Sequence, residues 1–224
     1  MGTDVQGRDV LAQLIRGTTT SLTIGVIAAS IASAIAIIIG AVSGYKGGIL
    51  DESLMAFANI VLAFPTILLL LVVAVFVPVR SPLVVAVLIG FTAWPGLARA
   101  IRAQIMSLKE REFVFLSRMA GWSGEKIVVF DLIPNMMAYV FTSFVVIMSI
   151  AMLAEAGLTM IGVGVTQGVS LGVMLFWAQM SDAVRRGLYW LFVPPGGVLT
   201  LVSASLLLLA TALDQMFNPR LRAQ

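Results

Sequence analysis

From Leu22 to Val42 the chain carries no charged residue, and this run spans the roughly 20 residues that a helix needs to cross a bilayer. A segment of this kind leaves little choice of structure. In hydrocarbon every backbone N–H and C=O must find its partner inside the protein, so only helices and closed barrels cross. The wider apolar stretch is Thr18 to Tyr45, and comparable runs follow at Leu54–Val77, Leu83–Ile101, Met136–Ala154 and Tyr189–Leu213. The expected fold is therefore all-α: a polytopic transmembrane helical bundle of about five spans. The charge content agrees, at 11% against roughly 25% in a soluble domain.

The spans differ in detail. In the first, Gly25, Ala29, Ser33, Ala36 and Gly40 recur every three or four residues and share one helix face. Small residues let helices approach closely in lipid; lining a pathway is the alternative use. The second span contains Pro65, which removes a helix hydrogen bond and predicts a kink, for packing or as a hinge. The third carries Trp94, suited to a membrane interface, and Pro95, a second kink or hinge position. It is expected to run on beyond the membrane through Arg99 and Arg102 toward Lys109. Glu155 closes the fourth span, where a solvated helix end is the plainer reading and a functional carboxylate the sharper one. Ala156–Leu188, broken by glycines at 157, 162, 164, 168 and 172, reads as a re-entrant or surface excursion with Asp182, Arg185 and Arg186 in water. Before the first span, Leu11, Leu14 and Ile15 would share a face of a short interfacial helix. Lys46–Glu52 reads as a tight turn, Pro78–Pro82 as a short loop carrying Arg80, and Asn218–Gln224 as a polar tail with Arg220 and Arg222.

Arg111–Asn135 is the longest charged interruption. Met106–Ala120 lacks Gly and Pro and is rich in helix formers. Gly121 suits a helix C-terminus, Ser123 can cap a second short helix, and Glu125 sits at the positive end of its dipole. Pro134 marks the turn into the fourth span. The expectation is a helix–Gly–helix docking element on the cytoplasmic face.

Basic residues set the orientation. With this element inside, nine of them lie inside (Lys46, Arg99, Arg102, Lys109, Arg111, Arg118, Lys126, Arg220, Arg222) and five outside (Arg8, Arg16, Arg80, Arg185, Arg186). The net charge of +3 thus reads as membrane topology, with no nucleic acid implied. The chain has no Cys and no His, which removes disulfides, thiolate chemistry, zinc sites and imidazole catalysis. No phosphate-cradling G-x-x-x-x-G-K-[ST] is present. Catalytic and metal-ligating residues are therefore not expected. Spans one to four hold no carboxylate in their interiors, and Asp214 stands at the end of the fifth. An ion-coupled carrier uses ionisable groups near the midplane. Energy for transport would come from a partner subunit docked on Arg111–Asn135.

Several stretches resemble the membrane permease subunit of ATP-binding-cassette importers, in the dipeptide, oligopeptide and nickel branch. GTDVQGRDVLAQLIRGTTTSLTIG (residues 2–25) is similar to that family's G-T-D-x-x-G-R-D segment. Phe64-Pro65, the block Trp94–Arg99, LKEREFVFLSRMAG with LIPN, LAEAGLTMIGVGV (residues 153–165) and the terminal FNPRLR complete a likeness across the whole chain. The resemblance implies a single permease domain over residues 1–224, multi-pass in the plasma membrane, forming half of a pathway that works by alternating access. It implies a second permease subunit as heterodimer partner, two ATPase subunits that carry the ATP, an external substrate-binding protein and surrounding lipid. Peptides are the implied substrate; oligosaccharides or nickel complexes are the alternatives within the same machinery. A homo-oligomeric channel would leave Arg111–Asn135 as a mere solvated loop.

The resemblance also implies docking on the ATPase through residues 105–135, at Arg111, Glu112, Phe115, Leu116, Ser117, Arg118, Met119 and Gly121. The helix around Arg111–Gly121 would act as a stiff lever, and Pro65, Pro95 and Pro134 as hinge or kink positions. Two departures stand out. Phe115, Leu116 and Ser117 occupy the place of the family's Glu-Ala-Ala, so docking by apolar burial is expected. The family's first span, which precedes the G-T-D segment, is absent from this sequence.

Overall fold

The computed structural model describes residues 1–77 and 80–217. Pro78 and the expected polar tail with Arg220 and Arg222 lie outside the described residues. Regular structure among the described residues is helical, apart from an isolated bridge between Thr3 and Asp9. Four helices are long and apolar enough to cross a membrane, and a sharply bent pair supplies a possible fifth span.

Helix α1 runs from Val10 to Lys46. Asp9 starts it by accepting the Leu11 N–H at 2.9 Å. The expected interfacial helix is thus the first turns of the span itself, with Leu14 buried and Leu11 and Ile15 exposed. All five small residues, Gly25, Ala29, Ser33, Ala36 and Gly40, are buried. Their role is close packing. A Cβ on Gly40 would stand 2.7 Å from the Ala98 carbonyl oxygen of helix α4 (Pro82–Leu108), and one on Gly25 2.9 Å from Met152 Cγ. The α1–α4 pair is accordingly the most extensive contact in the fold.

The turn after α1 is shorter than Lys46–Glu52: Gly47 and Gly48, with φ of +65° and +61°, reverse the chain and open helix α2 (Gly48–Ala63). The kink expected at Pro65 is a full break. Helices α2 and α3 (Thr66–Val75) meet at 86°, with Phe64 and Pro65 extended between them. Steric conflict with the proline ring disfavours helical backbone at Phe64, which is extended here. Helix α4, capped by Ser81 at Val84 N–H, continues through Pro95 to Leu108. Trp94 corrects the interface reading: it is buried and stacks on Phe57 at 5.8 Å between centroids.

The single helix expected over Met106–Ala120 is divided. Helix α4 stops at Leu108, a turn covers Lys109–Arg111, and helix α5 spans Glu112–Met119. Arg111 is extended at φ −81°, ψ 152°, so the lever is two rods joined by a corner. Helix α6 (Gly124–Ile127), a π-helical stretch (Val128–Leu132) and helix α7 (Ile133–Met160) follow without interruption. No turn occurs at Pro134. The wider π turn comes just before it and absorbs the hydrogen bond that the proline cannot donate. Helix α8 (Leu171–Met180) lies in the excursion, where Asp182, Arg185 and Arg186 are exposed, and helix α9 (Tyr189–Phe217) returns. One apolar cluster joins α1 and α4 to α5–α7; a second joins the start of α1 to α8 and α9.

Candidate functional site

Eight residues are too few for a helix to hold alone, so α5 depends on packing. Val114 is 0% exposed and lies in one cluster with Ile101, Ile105, Ile127 and Leu132. Glu112 in the first turn and Arg118 in the last suit the helix dipole. The end is closed by a pair of nested bonds. Gly121 N–H donates to Arg118 O at 3.0 Å and Trp122 N–H to Ser117 O at 3.1 Å. Gly121 takes the positive φ of +79° that this geometry requires. Ser123 then accepts the Lys126 N–H and starts α6. The Lys126 ammonium sits 4.2 Å from the Trp122 ring centroid, and Trp122 meets Phe130 edge-on at 6.5 Å. A Cβ on Gly124 would stand 2.7 Å from the Tyr45 ring, so α6 rests directly on the last turn of α1.

This packing turns the other side of α5 outward. Phe115, Leu116 and Met119 are 62%, 65% and 73% exposed. Arg111, Glu112, Arg118 and Gly121 are exposed around them, while Ser117 is half-buried. The predicted docking residues thus form one surface, with an apolar centre and a charged rim. Pro65 and Pro95 lie elsewhere, in the α2–α3 break and inside α4; Pro134 lies in the first turn of α7.

A clamp that no local sequence pattern announces holds the base of α4. Arg102 donates to both oxygens of Asp51, at 2.5 Å each, and the Ser43 hydroxyl donates to the same carboxylate. Arg99 donates to Asn59, through Nε at 3.0 Å. Helices α1, α2 and α4 are therefore joined where α4 leads into α5. These partners are 8, 40 and 51 residues apart, so only the folded chain brings them together. A groove between α4, α7 and α9 presents Tyr139, Thr142, Ser143 and Asp214 beside apolar side chains.

Glu155 corrects the solvated-end reading. Helix α7 continues past it to Met160, and the side chain is 0% exposed. Its carboxylate accepts hydrogen bonds from Ser170 (2.7 Å), Thr159 (3.0 Å) and Ser21 (3.3 Å). Ser21 is 134 residues away in sequence, and spacing could not have revealed it. Among the described residues no cluster of His, Cys, Asp and Glu could hold a metal ion.

A family model described as "Binding-protein-dependent transport system inner membrane component" matches residues 36–223. The oligopeptide transport system permease protein OppC of Mycobacterium tuberculosis is 33% identical over 226 residues, covering 100% of this chain and 76% of that protein. The dipeptide transport system permease protein DppC of Bacillus subtilis is 29% identical, covering 99% and 68%. A putative peptide permease protein of Brucella abortus is 32% identical, covering 98% and 72%.

Proposed function

The chain belongs to the family of inner-membrane components of binding-protein-dependent transport systems, the permease subunits of ATP-binding-cassette importers, and from that premise we propose that it admits peptides by alternating access. It is a multi-pass plasma-membrane transport subunit, and ATP hydrolysis belongs to a separate subunit. The α5 surface is its docking site for that ATPase. One observation carries this reading: α5 buries Val114 in the core while turning Phe115, Leu116 and Met119 outward. Membrane lipid does not account for this patch, because exposed Arg111, Glu112 and Arg118 surround it. An apolar centre with a charged rim fits a protein groove.

Force applied at α5 has a defined route. The Val114 contact and the Tyr45–Gly124 contact lead into α1 and α4, and the Asp51–Arg102 clamp adds α2. The groove with Tyr139, Thr142 and Ser143 would be this subunit's half of the pathway, completed by a second permease. An external binding protein would deliver the peptide to the end that carries α8. Peptides are favoured over oligosaccharides or nickel complexes because the similar proteins named above are oligopeptide, dipeptide and putative peptide permeases.

Replacing Phe115 by Asp tests the docking surface. The side chain is exposed, so the fold should survive, while a buried unpaired carboxylate in the interface costs about 2–5 kcal/mol. The expected result in proteoliposomes is loss of uptake and of co-purifying ATPase, with the permease still monodisperse. Uptake equal to the parent would overturn the assignment.

A further inference from the structure

The three hydroxyls around Glu155 share a pattern that a simple polar cluster does not need. Each also accepts one backbone N–H from the segment between α7 and α9. Thr159 Oγ1 accepts from Val165 N–H at 3.2 Å, Ser21 Oγ from Leu171 N–H at 3.1 Å, and Ser170 Oγ from Val173 N–H at 3.1 Å. A hydroxyl has a single proton. By taking that proton three times over, the carboxylate turns the lone pairs of all three toward the backbone. One side chain on α7 thereby sets the path of residues 165–173 and the start of α8. The packing is as tight as the bonding. A Cβ on Gly172 would stand 2.9 Å from Glu155 Oε1, and one on Gly17 3.1 Å from the Ser170 carbonyl carbon.

We propose that Glu155 is the positioning residue of the outer mouth: it keys α8 to α1 and α7, so that the three move as one wall through the transport cycle and α8 does not swing as a lid. The words outer and cycle rest on the importer reading; the keying does not. A lid hinged ahead of Ser170 would break the Ser21 and Ser170 relays and expose a carboxylate made for an enclosed site. A wall keeps all of them and leaves motion to other contacts.

The chain contains no cysteine, so single reporters are clean. Met174→Cys and Ala178→Cys place thiols on buried positions of α8. Labelling by a membrane-impermeant maleimide would be followed in the assembled transporter, nucleotide-free and after trapping with ATP and vanadate. Both reporters should label slowly and at the same rate in the two states. E155A, which leaves three hydroxyls without their acceptor, should speed labelling at least about tenfold by local opening. E155Q keeps one acceptor oxygen, and its amide can donate to Ser21, so it should stay within a few-fold of the parent. S21A removes one relay without touching the carboxylate and should fall between them. It also serves, with E155Q, if E155A does not assemble. Labelling that rises in one nucleotide state of the parent overturns the wall. Labelling unchanged by both E155A and S21A overturns the keying. Leu116→Cys in the same preparations separates the two readings: if the ATPase fails to protect it, docking at α5 is wrong, whatever the α8 reporters show.

Discussion

Asp4 accepts four hydrogen bonds, from the backbone N–H groups of Gln6 and Arg8, from Arg8 Nε and from Gln13 Nε2. Burial alone would raise its pKa, but the Arg8 backbone bond, the Gln13 and Arg8 side chains and the Gln6 backbone bond outweigh it and hold the value at about 2, below the usual 3.8. A carboxylate depressed in the folded state stabilises it above the unfolded pKa and loses that effect as pH falls through the folded one. The turn over residues 1–9 should therefore stay closed down to about pH 4 and release between about pH 4 and 2. Hydrogen exchange at the Arg8 amide would show it, and D4A, which removes both acceptor oxygens, should exchange fast at neutral pH with no such acid step. Gly121 makes a second point of this size. Its φ of +79° costs a residue with a Cβ about 1–2 kcal/mol. G121A should fray α5 and slow uptake, with little change in the thermal midpoint of the bundle; a midpoint lowered by many degrees would mean that the cap supports more than its own helix.

Between helices, proximity is the controlling quantity. A Cβ on Gly44 would stand 2.8 Å from the Arg102 carbonyl oxygen. Backbone on the facing helix cannot step aside as a side-chain tip can, so G44A should cost about 1–3 kcal/mol, read as a lower thermal midpoint in detergent. The Asp51–Arg102 clamp beside it pairs a buried carboxylate with a half-buried guanidinium. D51A removes the charge-assisted hydrogen bonds and leaves a guanidinium that water reaches only in part, so it should cost about 1.5–3 kcal/mol. D51A with R102A should recover part of that loss, because the double variant leaves no orphan charge. Strictly additive losses would mean that the pair contributes nothing through mutual contact. Pro134 causes no turn because the π-helical stretch absorbs it, and α6–α7 runs on as one rod.

Across the molecule, the two polar clamps stand far apart along α1. Ser43 belongs to one and Ser21 to the other, a separation of roughly 33 Å at 1.5 Å per residue. They share no side chain, so stability losses in G44A and E155A should add within about 0.5 kcal/mol. A large coupling between them would reveal that the bundle transmits strain along α1 even at rest. On the proposed docking at α5, transport would need such transmission only when the ATPase moves that helix.

The apolar runs, the small-residue face, a bend at Pro65 and the cap at Ser123 were all legible in the chain. Each depends on interactions within a turn or two, or on the demand of lipid that every span satisfy its own backbone. The exposed face of α5 was legible for the same reason, since Phe115 and Met119 are one helical turn apart. The corner at Lys109–Arg111, the burial of Trp94 and the continuous rod through Pro134 were not, because propensity is weak beside packing. Least legible were the partners of Asp51 and Glu155. A lone carboxylate near the end of a span reads the same whether it meets water or three hydroxyls. Which it meets depends on contacts as much as 134 residues apart, and those exist only once the helices have packed.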